Sequence, residues 1–216
     1  VKGRMDGTLP PDGELNPDIV ARALGFENKS TFAIPSIVEM RPPALCEGCG
    51  HRDMYTILTK VLREEFPGHR VFGAIGCYTL GAGAPFHAIH SCVDMGASIT
   101  MAKGAADAGI YPAVAVIGDP TFTHPGMTGL LDVDNKQANV TFDIPNNETT
   151  AMTGGQDSAG TGRLESICAG IGVEPEHIRV VIPLKRTMRK WSGFSARNCC
   201  IPAYRSSSHA ANAYKH

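Results

Sequence analysis

The chain has 216 residues, a net charge of −1 and 43% hydrophobic residues, a composition that is typical of globular proteins. The near-neutral charge argues against nucleic acid as a partner. No apolar run is as long as a membrane span, and the polar N-terminus has no signal-peptide pattern. We therefore expect a cytoplasmic protein with no membrane association.

The first forty residues are rich in proline, glycine and charge, and they predict a connector over 1–40 rather than a core. One short helix is expected within this connector, from Pro17 to Leu24. Asn16 is a good residue for the N-cap of that helix, and proline suits its first position.

From residue 41 onward, helical and strand patterns alternate. The predicted helices cover 53–66, 98–109, 126–139 and 163–176, and the predicted strands cover 70–76, 111–119, 140–147 and 177–183. This alternation predicts an α/β fold with a mostly parallel sheet and helices on both faces. The residues after Lys190 fit neither period, so 177–183 is expected to be the last strand.

Polar residues follow two of these strands at the point where each strand ends. Asp119 comes directly after the apolar run that ends in Gly118, and Asn146 and Asn147 end the next strand. Asp119 alone could simply cap the following helix. If the strands are parallel neighbours, however, a carboxylate and an amide meet at one edge and suit Mg²⁺ that also binds phosphate oxygens. Gly118 would let the backbone approach the phosphate, and helix N-termini would favour the anion.

The cysteines do not suggest a disulfide framework, because their number is odd and the chain is not a small secreted domain. Cys46 and Cys49 form a C-x-x-C pair just before a predicted helix. This pair could be a redox dithiol, half of a zinc site or half of an iron–sulfur site. No second C-x-x-C follows, which makes a zinc site less favoured as the interpretation of this pair. Cys92 and Cys168 are interpreted as small core residues.

Several motifs carry a resemblance to a known family. The interval from Gly118 to Asn147 resembles the diphosphate–magnesium motif of thiamine-diphosphate enzymes. The wider sequence resembles the thiamine-diphosphate-binding domain of 2-oxoacid:ferredoxin oxidoreductases, most closely the large subunit of the indolepyruvate type. The resemblance covers roughly 9–184, which predicts this domain over 41–184 and an atypical tail over 185–216. It rests on the segments LCEGCGHRDMY, GAIGCYTLGAGAP, CVDMGASITMAKG, GDPTFTHPGMTGLLD and NNETTAMTGGQ.

The resemblance implies a set of site residues. It makes the side chains of Asp119 and Asn147 and the backbone carbonyl of Thr149 the ligands of Mg²⁺. The residues implied to line the diphosphate or lie near the cofactor are Gly76, Cys77, Gly118, Met95, Gly96 and Ala97. Cys46, Cys49 and Cys77 resemble three ligands of a [4Fe–4S] cluster, and the fourth would come after the last strand, where both Cys199 and Cys200 stand.

Two residues depart from the family pattern. Pro120 stands where Ser or Gly is usual and removes an N–H that could face the diphosphate. Gly155 stands where His is usual. His124, in the loop after Asp119, is given no catalytic role.

The resemblance implies an enzyme that oxidatively decarboxylates a 2-oxoacid to an acyl-CoA and passes electrons to ferredoxin. Its implied partners are a pyrimidine-binding domain or subunit, ferredoxin, a 2-oxoacid and coenzyme A, within an oligomer. The family's pyrimidine domain precedes this region and supplies a Glu that Glu148 and Glu165 are not expected to replace, so the chain alone is expected to be inactive. Two alternatives stay open: a non-redox thiamine-diphosphate decarboxylase, and a non-catalytic scaffold of the same fold.

Overall fold

The computed structural model describes residues 3–13, 15–26, 35–39, 42–182 and 199–202. The chain divides into two compact units, 1–42 and 43–216. In the first unit, helix α1 (Pro17–Ala23) forms as predicted, with Asn16 Oδ1 accepting a hydrogen bond from the Ile19 N–H at 2.9 Å. The roles predicted for 1–40 as a connector and for 185–216 as a tail stay predictions.

The second unit is built on a six-stranded sheet in which all neighbouring strands are parallel. In chain order the strands are β1 (Arg70–Gly73), β2 (Ser91–Cys92), β3 (Ala113–Val116), β4 (Val140–Asp143), β5 (Thr149–Thr150), β6 (Gln156–Asp157), β7 (Ile178–Val181) and β8 (Cys199–Pro202). The sheet has the order β2-β1-β3-β4-β8-β7, and β5 and β6 form a separate antiparallel hairpin.

The helices of this unit are α2 (Gly50–Glu65), α3 (Ala97–Asp107), α4 (Asp119–Thr121), α5 (Met127–Asn135) and α6 (Leu164–Ile171). A π-helical turn, Phe122–Gly126, joins α4 to α5. Every residue of the central strands β3 and β4 is buried, so both faces of the sheet are covered. The predicted α/β fold is confirmed, because only a parallel sheet that is covered on both faces buries continuous strands in this way.

The prediction that 177–183 is the last strand is wrong. Strand β8 follows it in the chain and lies between β4 and β7, with Cys199 opposite Phe142 and Cys200 opposite Asp143. A four-residue strand that ends in proline is too short to show a period in the sequence, and its place depends on pairing with two neighbours. The two-residue strand β2 was missed for the same reason. In the described part of the chain, no helix combines the length and the apolar character that crossing a membrane requires.

Asp143, the last residue of β4, is an unexpected feature of the core. It is 1% exposed, and neither of its carboxylate oxygens has a hydrogen-bond partner among the described residues. Burial raises the pKa of Asp143 well above 3.8, because the charged form loses its hydration. Burial therefore favours the protonated form of this carboxyl.

Replacing Asp143 with Asn should change how stability depends on pH. The pKa of Asp143 is raised in the folded state, so its contribution to the free energy of unfolding is greatest below about pH 4 and falls as pH rises toward the folded pKa. The fall is about 1.4 kcal/mol for each pH unit. Asp143→Asn has no carboxyl to titrate, so its free energy of unfolding in urea, relative to the wild type, should increase as pH rises above about 4. Parallel curves for the two proteins would show that Asp143 does not titrate in this way.

Candidate functional site

The ends of three parallel strands meet at one edge of the sheet. Gly73, Val116 and Asp143 lie opposite one another in β1, β3 and β4. The pairing continues past the strands, because the Ile117 N–H donates to the Asp143 carbonyl at 3.0 Å and the Asp119 N–H donates to the Pro145 carbonyl at 3.3 Å. The segment around Gly118 therefore lies directly beside the segment that leads to Asn147.

Three oxygen-bearing groups converge at this edge. One terminal atom of the Asn147 side-chain amide lies 2.9 Å from the Thr149 carbonyl oxygen and 3.1 Å from Asp119 Oδ1. As an NH₂ group, this atom donates a hydrogen bond to both oxygens. If the amide oxygen takes this position instead, three acceptor oxygens face one another, and a bound cation would stabilise that arrangement.

The spacing of these groups fits Mg²⁺. This ion binds oxygen at about 2.0–2.1 Å in octahedral geometry, which places adjacent ligand oxygens about 2.9 Å apart. The distances of 2.9 and 3.1 Å match that edge of the octahedron. In the described residues, no group of three or more His, Cys, Asp and Glu side chains is arranged to hold a metal ion. The three groups at this edge include only one of these residue types, Asp119. The other two belong to the Asn147 amide and the Thr149 backbone carbonyl.

The surroundings of Asp119 leave its carboxylate short of partners. Asp119 is buried, and its Oδ2 has no hydrogen-bond partner among the described residues. The pKa of Asp119 is raised, chiefly by burial and also by the charge of Glu148. Hydrogen bonds from the Ser158 hydroxyl and the Asn147 backbone N–H oppose this rise. A bound cation would stabilise the charged form at this position. Sequence reasoning missed Ser158, which follows the β5–β6 hairpin and belongs to no recognisable motif.

The glycines at the strand ends leave space for a neighbouring side chain. A Cβ atom on Gly118 would lie 2.6 Å from Cε1 of Tyr78, and a Cβ on Gly76 would lie closer still to the same ring. The Tyr78 ring thus fills the space beside both backbone segments. Sequence reasoning explained Gly118 by a close approach to phosphate and did not include Tyr78 in the site.

The segment Met95–Ala97 also packs at this edge. Gly96 has a φ of +90°, which favours glycine, and a Cβ there would lie 2.8 Å from Cγ of Pro125 in the π-helical turn after Asp119. Met95 is 52% exposed.

His124 is exposed, and Pro120 lies in the first turn of α4, where a backbone N–H has no intrahelical partner to lose.

Three of the cysteines lie near one another at the N-terminus of α2. Cys46 is exposed, and Cys49 and Cys77 are half-buried. Burial raises the pKa of Cys77, and the neighbouring Cys49 and Cys46 raise it further. Cys49 Sγ also lies 3.2 Å from Nδ1 of His51, a buried imidazole whose pKa burial lowers to about 4. Four iron atoms of a cluster take separate cysteines, so such ligands need not converge on one point.

The other cysteines have different settings. Cys168 is fully buried, as predicted for a core residue. Cys92 is only half-buried, because it lies in the short edge strand β2, and its thiol donates to the Ala74 carbonyl at 3.5 Å. The backbones of Cys199 and Cys200 lie in β8, and their side chains are outside the described part of the chain.

A known family model spans the segments that meet at this edge. The model described as "Thiamine pyrophosphate enzyme, C-terminal TPP binding domain" matches residues 74–180, which run from the end of β1 into β7. The chain belongs to this thiamine-pyrophosphate-binding family. Thiamine pyrophosphate is the same compound as thiamine diphosphate, so the predicted resemblance is confirmed. The matched residues include the convergent oxygens of Asp119, Asn147 and Thr149.

Curated relatives carry the name indolepyruvate oxidoreductase subunit IorA. The chain is 40% identical over 169 residues to the protein of Methanothermobacter thermautotrophicus, with 74% of this chain and 27% of that protein covered. It is 31% identical over 232 residues to the protein of Archaeoglobus fulgidus, with 93% of this chain and 37% of that protein covered. The chain therefore spans 27% to 37% of the length of these two relatives.

A solved structure shares the fold of this thiamine-pyrophosphate-binding chain. It is a 2-oxoglutarate:ferredoxin oxidoreductase from Magnetococcus marinus, described with 2-oxoglutarate, coenzyme A and succinyl-CoA bound. The TM-score is 0.58 and the identity is 16%, with 76% of this chain and 64% of that chain covered. At this identity the likeness supports the fold alone.

Replacing Gly118 with Ala tests whether the Tyr78 ring occupies the space beside Gly118. The added Cβ would overlap the ring, so we expect a loss of about 1–3 kcal/mol in the free energy of unfolding. Gly104→Ala is the matched control, because nothing lies within 4 Å of a Cβ at that exposed helical position. The control should be stabilised by about 0.5–1 kcal/mol. Equal effects of the two substitutions in chemical denaturation would refute the packing of Tyr78 against Gly118.

Proposed function

We propose that this chain holds the diphosphate of thiamine diphosphate through Mg²⁺, as part of a 2-oxoacid:ferredoxin oxidoreductase of the indolepyruvate type. The observation that carries the proposal is that the Asn147 side-chain amide lies within 3.1 Å of both the Asp119 carboxylate and the Thr149 carbonyl, at the carboxyl edge of the sheet. Ligands bind at this edge in open parallel α/β sheets. The family match and the names of the relatives support the same reading.

Each residue at the edge has a role in the proposal. Asp119 supplies the charged ligand to Mg²⁺, the Asn147 amide turns its oxygen toward the ion, and Thr149 contributes its backbone carbonyl. Gly76, Cys77 and Gly118 line the diphosphate, and Met95, Gly96 and Ala97 lie beside the cofactor. When bound, thiamine diphosphate supplies the electron sink that lets a 2-oxoacid lose CO₂. The chain's contribution is to bind and orient the phosphate end of this cofactor.

The thiols support a redox form of this chemistry. We propose that Cys46, Cys49 and Cys77 bind a [4Fe–4S] cluster that accepts electrons one at a time. Soft thiolates suit iron in such clusters, and the contribution of Cys46 and Cys49 to the raised pKa of Cys77 supports a common site. Cys199 and Cys200 are the candidates for a fourth ligand.

The remaining parts of the reaction require partners. We propose a pyrimidine-binding domain or subunit, ferredoxin as electron acceptor, and a 2-oxoacid with coenzyme A as substrates, within a cytoplasmic oligomer. The chain covers only about a quarter of the relative from Methanothermobacter thermautotrophicus, so most of such an assembly lies in other segments or chains. The segments that follow β1 and β2 expose Ile75, Val93 and Met95, which gives this edge apolar side chains for a partner to cover.

Substitution of the proposed ligands should remove magnesium-dependent binding of diphosphate. The probe is inorganic diphosphate titrated into the chain with and without Mg²⁺ in a calorimeter. Asp119→Ala should lower the affinity by at least about a hundredfold, because it removes the only charged ligand of the set. Asn147→Ala should lower the affinity less, because an amide oxygen is a weaker ligand than a carboxylate.

Asn146→Ala is the matched control for this measurement. Its side chain has the same chemistry one residue earlier, but its Oδ1 accepts a hydrogen bond from the Glu148 N–H at 3.3 Å. The control should keep the affinity within about threefold of the wild type. Unchanged affinity in both Asp119→Ala and Asn147→Ala would exclude this magnesium site.

Substitution of the thiols should test the cluster separately. After anaerobic preparation, Cys46→Ser, Cys49→Ser and Cys77→Ser should each lose most of the bound iron and the visible absorbance, because three remaining ligands hold a cluster poorly. Cys92→Ser is the control and should keep its iron. If the wild type binds magnesium and diphosphate but contains no iron, the non-redox decarboxylase becomes the better description.

A further inference from the structure

Glu148 has a backbone conformation that is uncommon for a residue with a side chain. Its φ is +60°, in the left-handed region that favours glycine, because a Cβ atom there crowds the following carbonyl oxygen. Two other described residues with a Cβ atom, His87 and Gln137, also have a positive φ. Glu148 differs from both in its place in the chain, because it lies between Asn147 and Thr149, which supply two of the proposed magnesium ligands.

The turn at Glu148 brings together two groups that an extended chain would hold apart. An extended chain advances about 3.3–3.6 Å per residue, so about 7 Å would separate the Cα atoms of Asn147 and Thr149. The Asn147 side-chain amide nevertheless lies 2.9 Å from the Thr149 carbonyl oxygen. The left-handed residue between them changes the direction of the chain, so the later carbonyl folds back toward the amide.

Both ends of this turn are anchored by hydrogen bonds. Before the turn, the Pro145 carbonyl accepts a hydrogen bond from the Asp119 N–H at 3.3 Å. After the turn, Thr149 belongs to the β5–β6 hairpin, where its Oγ1 donates to the Gln156 carbonyl at 3.2 Å. The change of direction therefore falls on the residues between these anchors, of which Glu148 is the one in the left-handed region.

Side chains at the turn contribute little to it. The Glu148 side chain is exposed, so the site depends on the backbone of this residue rather than on its carboxylate. The Glu148 N–H donates to Asn146 Oδ1, but this contact is exposed, and water can replace the Asn146 oxygen as its acceptor. The conformation of Glu148 itself thus sets the turn.

We propose that Glu148 is a positioning residue, whose left-handed backbone turns the Asn147 amide and the Thr149 carbonyl toward one magnesium ion before the ion binds. This inference rests on the proposed function and extends it to a residue that supplies no ligand atom. A β-branched residue at this position adopts the left-handed backbone poorly, so it would open the turn and part the two ligands. Glycine adopts this backbone freely and would keep the turn.

The test compares Glu148→Val with Glu148→Gln. Both variants lose the carboxylate, so the change in charge near the diphosphate is the same, but only valine is β-branched. Calorimetric titration with inorganic diphosphate and Mg²⁺ should give Glu148→Val an affinity at least about tenfold lower than that of Glu148→Gln, because binding must then restore the turn. Glu148→Gly should bind within about threefold of Glu148→Gln.

Gln137→Val is the matched control. Gln137 has a φ of +52°, and it lies between α5 and β4, at the opposite end of β4 from Asn147. Its side chain also donates to the Asp134 carbonyl at 2.8 Å, so this substitution should lower the temperature of thermal unfolding at least as much as Glu148→Val does. The control should nevertheless keep the affinity for magnesium and diphosphate within about threefold of the wild type.

Three results would overturn the inference. Equal affinity of Glu148→Val and Glu148→Gln would show that the turn does not depend on the residue at 148. A loss of affinity in Glu148→Gly as large as that in Glu148→Val would show that the left-handed backbone is not the cause. An equal loss in Gln137→Val would mean that general loosening of the fold explains the effect.

Two further outcomes keep the test decisive. If Glu148→Val does not fold, the glycine variant decides: affinity within about threefold of Glu148→Gln supports the inference, and affinity at least about tenfold lower overturns it. If the wild type fails to bind magnesium and diphosphate, the proposed function itself fails, and this inference fails with it.

Discussion

In-register parallel pairing of β1, β3 and β4 is the constraint on which the site depends. It brings the ends of the three strands to one level, so the segments after Gly73, Val116 and Asp143 must run side by side. The hydrogen bond from Asp119 to Pro145 extends this pairing beyond the strands. A shift of β4 by one residue would carry Asn147 away from Asp119 and separate the oxygens that form the proposed magnesium site.

The small residues at this edge serve packing as well as binding. Gly76 and Gly118 leave space that the Tyr78 ring fills, and Gly96 leaves space that Pro125 fills. The edge is therefore a set of backbone segments packed against buried side chains, with the apolar side chains of Ile75, Val93 and Met95 exposed beside them. Such an arrangement suits a ligand bound largely by backbone groups and a metal ion, which is how a diphosphate is commonly held.

The sequence was sufficient to predict the α/β fold, α1, and the convergence of Asp119 with Asn147, because these follow from local periodicity and from the rule that parallel strand ends meet. It was insufficient for β8, whose four residues gain their place only by pairing with β4 and β7. It also missed Tyr78 and Ser158, since neither side chain belongs to a polar motif at a strand end. Asp143 could not be predicted either, because a buried carboxyl without partners runs against the usual pattern of strand residues.

The central claim is that this edge binds a diphosphate through a divalent cation. The most direct measurement compares thiamine diphosphate with thiamine monophosphate, each titrated into the wild-type chain with Mg²⁺ and with chelator. The account predicts that thiamine diphosphate binds only with Mg²⁺ and that the monophosphate binds at least about tenfold more weakly, because it cannot bridge the ion and the strand-end backbone in the same way. Equal binding of the two compounds, or binding that persists in chelator, would contradict it.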